Sequence, residues 1–514
     1  MDALEKVPSS KTTSLPNDSK PESGTIQDVS DHGEFRRSFT PRQIHVLSLG
    51  GQIGAGLFIS TGTNLLNGGP ASLFLGFAVV CSCVWGMLQT VSEMSIAFPV
   101  SGNFIEYSCR FVDPALSFAA GTSMWLGWTA IVAAEATFFA VIVNYWAQGS
   151  VHDAVWYCAA ILKILALLIF VFAGFAMVLG AGPKGYVHHG DGWKEDAFKN
   201  GFKGFSSSVL LAVLAIGGFL AGEAKSPRYS VGHAAFLIPI RVTTIYLVCI
   251  VFISILVPAD SPSLFGSSGV AASPFVIALN ESGITGLPDF LNCVILIAVA
   301  SIAAESIFIA SRMLRFMSHQ NLIPQWVAQV DSKGRPRWAI LITLLAAIAL
   351  TYCNLSAGGI EVFTWLGQIA STGYFMVWVV VAITSFRFRA ALKAQGDTLF
   401  DEPYAWRCTL WPIPPILLLT CCTLYTACSF YLGLYPIGAT SPSAYSFFQY
   451  MIGLLLITLS TIGYKVIFRT KMRDPATVDL KTGRRTLSEE EIWALDEYYR
   501  QSRLRRFYSF VQLW

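Results

Sequence analysis

Charge is what this 514-residue sequence has least of: Asp, Glu, Lys and Arg make up 13% of it, against about 25% in soluble domains. With 54% hydrophobic residues, it has too little polar surface to wrap a water-facing globule. The sparse charge is also balanced, 35 basic residues against 32 acidic, so there is no concentrated basic footprint for a nucleic acid. The 11 cysteines include no CxxC pair. Most of them, such as Cys158, Cys249, Cys293 and Cys353, lie in apolar stretches where they pack as small hydrophobes, which argues against a disulfide framework. The histidines show no HExxH or other metal spacing, and His188-His189 sits in a Gly-rich loop with little to complete a site. No Walker A lysine and no nucleophile elbow are present, so neither ATP-driven pumping nor acyl chemistry is supported, and no cofactor is expected. No secretory signal opens the chain, because residues 1–40 are polar and rich in Ser, Pro, Lys and Asp, as in a disordered cytosolic tail.

What is there is apolar and periodic on the scale of a bilayer. Runs of about 20 apolar residues, enough for a helix to cross about 30 Å of hydrocarbon, centre near Gly54, Val80, Ile131, Leu168, Leu214, Cys249, Ile297, Ala346, Met376, Leu418 and Leu456. Basic residues orient them. Arg36, Arg37 and Arg42 precede the first run, Arg110 follows the second, and Lys225, Arg228 and Arg241 flank the break near Ser230. Arg312, Arg315, Lys333, Arg335, Arg337, Arg387, Arg389, Lys393, Lys465, Arg469, Lys471 and Arg473 continue the pattern, which puts all these ends, and both termini, in the cytosol. Two termini on one side require an even number of crossings, whereas the runs number about eleven. The disputed region lies between the long third run and the one containing Lys163, since residues 147–153 cannot return a helix across a bilayer.

Beyond the spans, residues 487–514 mix Glu489, Glu490, Glu491 and Asp496 with Trp493, Leu495, Tyr498, Phe507 and Trp514, the pattern of an amphipathic helix that could dock on the cytosolic face. Pro412, Pro414 and Pro415 abut an apolar run and mark the start of a helix.

The string Gly50-Gly51-Gln52-Ile53-Gly54-Ala55-Gly56, with Gly62 soon after, predicts a helix break at membrane depth, because each glycine costs about 1 kcal/mol relative to alanine in a helix interior. Backbone groups freed by a break must line a polar site inside the protein, where a half-helix N-terminus offers amides to a carboxylate. The same glycines also fit a close-packing face between helices.

The segments GGQIGAGLF, GNFIEYSCRFVDPALSFAAG, AGEAKSPR, ASPFVIAL and RFRAALKAQG resemble, in order and spacing over about residues 39–480, the signature segments of fungal amino acid permeases of the amino acid, polyamine and organocation superfamily. The resemblance implies an all-α, polytopic plasma-membrane carrier with a five-plus-five inverted-repeat transporter fold and two extra helices, importing amino acids with protons. It implies partners too: an amino acid substrate, protons, lipid and ubiquitin-ligase adaptors on the cytosolic tails. The domains expected are a tail over 1–40, a permease domain over 41–469 and a cytosolic tail over 470–514. In that family the broken first helix holds the substrate carboxylate, which here assigns Gly54, Ala55 and Gly56, with Gln52 and Ile53 beside them. A second break in the sixth helix assigns Gly217 and Gly218, and Phe219 is expected to shape the side-chain pocket.

Ionisable residues inside spans are costly and persist mostly where they work or are paired. Lys163, in CAAILKILALLIF, matches a lysine that in related proton-coupled carriers stands beside the broken first helix, so it is the candidate for proton coupling; a snorkelling lysine is the alternative. Glu135 matches a family glutamate of the third helix and is assigned to the substrate site. Glu305 has no recognised equivalent and fits structural pairing as well as substrate contact. Glu93 and Glu223 stand near cytosolic span ends, where gate or packing roles are expected.

The sequence departs from the family twice. Residues 154–156, which should open a fourth helix, run straight into the segment around Lys163, so the fourth helix is expected to be missing and about eleven spans to remain. The sixth-helix break is shortened to Gly217 and Gly218. These losses leave a second reading open, that of a non-transporting amino acid sensor or an inactive variant.

Overall fold

Each of the eleven apolar runs carries helix, as it must where the backbone can satisfy its hydrogen bonds only within the segment itself. The computed structural model of the chain describes residues 54–100, 102–143, 156–185, 190–216, 227–264, 273–331, 334–352, 359–402, 404–439, 441–485, 489–502 and 504. In chain order the α-helices are α1 (Ala55–Phe58), α2 (Ser60–Ala97), α3 (Asn103–Phe111), α4 (Pro114–Val143), α5 (Trp156–Val178), α6 (Asp191–Glu195), α7 (Gly201–Ile216) and α8 (Pro227–Leu256). There follow α9 (Pro274–Glu281), α10 (Leu287–His319), α11 (Arg337–Tyr352), α12 (Gly359–Gln395), α13 (Ile413–Leu434), α14 (Ala444–Phe468) and α15 (Glu489–Arg500). Among the described residues there is no β-strand, and 7 helices are long and apolar enough to cross a membrane.

One of those seven is two limbs joined. Gly69 has φ 73°, a conformation open to glycine and closed to most side chains, and it turns the chain back on itself. Residues 60–68 run from the level of Ala215, beside Gly56, to that of Gly204, beside Gly68. Residues 70–97 return, since Phe77 stacks on Tyr246, whose hydroxyl donates to the Ala215 carbonyl. The loop after α6 clasps the turn: Ala71 N–H donates to the Ala197 carbonyl at 2.9 Å and the Asn200 amide to the Asn67 carbonyl at 2.9 Å.

The bundle has two distinguishable ends. At one, Glu93, Asp113, Arg389 and Lys465 pair, and the segment after α14 runs back across the helix termini. Arg473 N–H donates to the Val112 carbonyl and Arg485 N–H to the Ala97 carbonyl, while Arg484 pairs with Asp397 at 2.9 Å. Helix α4 starts at this basic end. Helix α10 ends there, with Met317 against Gly121 of α4, so α10 begins at the opposite end. Helix α5 finishes at that opposite end, where Gly182 lies against Ser282, just ahead of α10. Consecutive helices α4 and α5 therefore run parallel. Residues 144–155 join them and lie outside the described residues; 12 residues of helix cover about 18 Å, too short for a span of about 30 Å, as the missing fourth helix requires.

Helix α13 starts with proline in its first turn as expected. In the C-terminal region the described helix is α15, and residues 487–488, 503 and 505–514 of the expected amphipathic stretch lie outside the described residues; its Asp496 accepts from the Tyr404 hydroxyl and Leu495 is buried while Trp493 is exposed. Cys293, expected to pack as a small hydrophobe, is exposed on α10, whereas Cys249 is buried; Cys158 and Cys353 carry no described side chain.

Candidate functional site

The first span is broken, one turn beyond the glycine string. Gly54 is a bend, α1 is a single turn, and Ile59, with φ −119° and ψ −49°, interrupts the chain before α2 begins. Breaking a helix strands carbonyls. Here the Phe58 carbonyl is taken by the Ser273 hydroxyl at 2.5 Å, from the residue that precedes α9, while Thr61 returns its hydroxyl to the Leu57 carbonyl at 2.6 Å. The aromatic set Phe58, Phe275 and Phe170, with centroids 5.1 Å and 4.5 Å apart in turn, locks α1, α9 and α5 around the break.

The two glycines of this turn differ. A Cβ on Gly56 would lie 2.6 Å from Ala215 Cα, so α1 and α7 touch backbone to backbone. A Cβ on Gly54 would collide with the terminal methyl of Ile302 on α10, the far end of a flexible side chain. The packing requirement is thus strict at Gly56 and soft at Gly54. Gln52, Ile53, Gly217, Gly218, Phe219 and Glu223 lie outside the described residues, and Ala55 contributes its backbone to α1.

A group of ionisable side chains from four helices interacts inside the bundle, and one of its members, Glu305, is a turn from Ile302, which packs on Gly54. Lys163 of α5 is 1% exposed, Glu135 of α4 4% and Tyr374 of α12 1%, so the lysine is inside the bundle rather than snorkelling to its surface. Lys163 interacts electrostatically with both Glu135 and Glu305, and Tyr374 lies in the field of both carboxylates. Trp128 packs edge-on against Tyr374 with centroids 5.6 Å apart. Glu135 Oε2 has no hydrogen-bond partner among the described residues. One lysine cannot neutralise two carboxylates, so these described groups are charge-balanced only when they hold one further proton, and for buried groups that balance is costly to violate.

The sequence matches the family model described as Amino acid permease in two pieces, residues 43–160 and 154–475. It is 31% identical to a histidine permease of Saccharomyces cerevisiae, over 91% of this chain and 84% of that one. It is also 31% identical to a general amino-acid permease of the same yeast, over 86% of this chain and 79% of that one, and 30% identical to an amino-acid permease of Candida albicans, over 90% and 82%. The chain belongs to the amino acid permease family. This permease is thus a polytopic membrane protein of a family that moves amino acids across membranes. The two pieces of the family match meet at residues 154–160, the place where the chain passes from α4 to α5 without room for another span.

Several of the permease's contacts escape sequence reasoning. The Ser273 bond spans 215 positions, and only the Ser-Pro pair of a helix start hints at it. Tyr374 sits in an unremarkable apolar run. At the basic end Glu93 is held by Arg389 and by the Cys408 N–H at 2.7 Å, and the Arg389 guanidinium lies 4.2 Å over the Phe400 ring. This latch ties the end of α2 to α12 and to the loop before α13, in keeping with the packing or gate role expected of Glu93. Asp113 accepts from Ala115 N–H, Lys465 and Thr470. Its burial works against the charged form, but the Lys465 ammonium and these hydrogen bonds hold the carboxyl below the usual aspartate range.

Proposed function

We propose that this permease imports amino acids together with protons across the plasma membrane, by alternating access around the broken first span, with both termini in the cytosol. The observation that supports this reading is a buried lysine in the field of two carboxylates, one of which, Glu305, is a helical turn from the Ile302 side chain packed on Gly54. The amides of Gly54, Ala55 and Gly56 take the substrate α-carboxylate, assisted by Gln52, Ile53 and Glu135, and Gly217, Gly218 and Phe219 contribute to the same site. Lys163 exchanges the coupled proton with Glu135 as its nearest acidic neighbour on α4. The cytosolic tails are the surfaces for ubiquitin-ligase adaptors.

Lys163→Ala tests the coupling role. The expected result in permease-deficient cells is loss of pH-dependent accumulation with retention of exchange of a preloaded amino acid, since the carboxylate site survives; wild-type pH dependence overturns it. A second reading, a non-transporting amino acid sensor, is favoured by one observation, the shortness of residues 144–155 between α4 and α5. Radiolabelled substrate that binds the native chain but never accumulates in the cell would decide for it.

A further inference from the structure

Glu305 stands near the middle of α10 (Leu287–His319), half-buried, with no role in the carboxylate site just described. Three residues before it on the same helical face is Ile302, whose terminal methyl occupies the space beside Gly54. Four residues after Ile302, and so on that face again, is Ser306, fully buried with a hydroxyl that has no partner among the described residues. The stripe of α10 that touches the broken first span is therefore the stripe that carries a carboxylate and an unengaged hydroxyl. From the far side, Lys163 of α5 reaches the same carboxylate electrostatically.

We propose that Glu305 is the second proton-holding carboxylate of the permease and the residue that passes its protonation state to the break at Gly54, a role that rests on the proton-coupled reading above. The charge count requires one proton beyond that of Lys163 for neutrality, and Glu305 and Glu135 are the two groups able to hold it. Among the described residues the surrounding elements bring little else. Helix α4 brings Glu135, α5 brings Lys163 and α12 brings Tyr374. Glu281 is the last residue of α9, Arg337 and Tyr352 are the ends of α11, and Glu106 of α3 is paired with Arg110. The step moves a proton only: water on the outer side gives it to a carboxylate, and the same O–H bond breaks toward water on the inner side after the change of access. Only Glu305, of the two carboxylates, sits one helical turn from the side chain packed on Gly54, so gain or loss of its charge acts directly on the contact between α10 and the break.

The test is uptake of a radiolabelled neutral amino acid by permease-deficient cells expressing the native chain, Glu305→Gln or Glu305→Asp, as a function of external pH and normalised to surface abundance. Glu305→Gln keeps size and hydrogen bonding but cannot ionise. It is expected to lose the pH dependence and the concentrative accumulation while retaining exchange of preloaded substrate, and Glu305→Asp to keep a pH dependence whose profile is displaced from native. A Gln variant with the native pH profile overturns the proposal and leaves the Lys163 reading standing. Should the Gln variant not reach the surface, the Asp variant decides: a pH profile displaced from native with unchanged KM supports the role, and an unchanged profile refutes it. If uptake by the native chain is itself independent of pH, the proton-coupled reading and this proposal fall together.

Discussion

The hydroxyl of Ser273 lies 2.5 Å from the carbonyl oxygen of Phe58, so the break in the first span is held open by a residue of the second half of the chain. Both partners are buried, Phe58 completely and Ser273 to 6% exposure. Without the hydroxyl the carbonyl has no obvious donor in a site closed to water, and an unsatisfied buried acceptor costs about 1–3 kcal/mol. Ser273→Ala is therefore expected to lower the thermal unfolding midpoint of the purified permease and to reduce uptake, while Ser273→Thr keeps both close to native. Equal stability of the Ala variant and native would mean that the break does not depend on this bond.

The two glycines of α1 should separate packing from substrate recognition. Gly56→Ala places a methyl against Ala215 Cα, backbone that cannot yield, and is expected to reduce the amount of folded permease at the surface. Gly54→Ala meets only the end of Ile302, so surface abundance should stay near native. If its amide holds the substrate carboxylate, KM should nonetheless rise, and Ile302→Ala in the same chain should bring it back toward native. Unchanged KM in Gly54→Ala removes Gly54 from the carboxylate site.

These cases show what the sequence makes legible. Apolar runs of bilayer length are read directly from residues such as those around Val80 and Met376, because a spanning helix needs only local satisfaction of its backbone. The glycine string located the break to within one turn, since helix propensity is also local. The Lys163, Glu135 and Glu305 group is half legible: each ion in an apolar run is conspicuous, but that α4, α5 and α10 bring them together is a matter of packing. Ser273, Ala215 and Tyr374 were not legible at all, because a serine before a proline, an alanine in an apolar helix and a tyrosine among hydrophobes have many ordinary uses.

Asp113 links α4 to the end of α14 through Lys465 at 2.7 Å, and its folded-state pKa is depressed. A carboxyl of this kind stabilises the fold fully above the ordinary aspartate range, and that contribution is lost as pH falls through the folded-state value. The purified permease should thus lose thermal stability on acidification into and below the carboxylate range. Asp113→Asn should be less stable than native at neutral pH and should show a shallower acid loss. Parallel curves for the two proteins would mean that Asp113 does not contribute to the acid sensitivity.

The parallel course of α4 and α5 makes a prediction about sidedness. An ordinary pair of consecutive spans is antiparallel, which would put the segment before α4 and the segment after α5 on the same side of the membrane. Here α4 leaves the basic end and α5 finishes at the opposite one, beside Ser282, so the segment before α4 and the segment after α5 are expected on opposite sides of the membrane. Cysteine introduced at Val100, half-exposed before α4, and at Lys184, exposed after α5, tests this with a membrane-impermeant maleimide, using the native chain as the blank. Lys184→Cys should label on intact cells and Val100→Cys only after permeabilisation. Labelling of both from the same side would show that α4 and α5 do not run parallel.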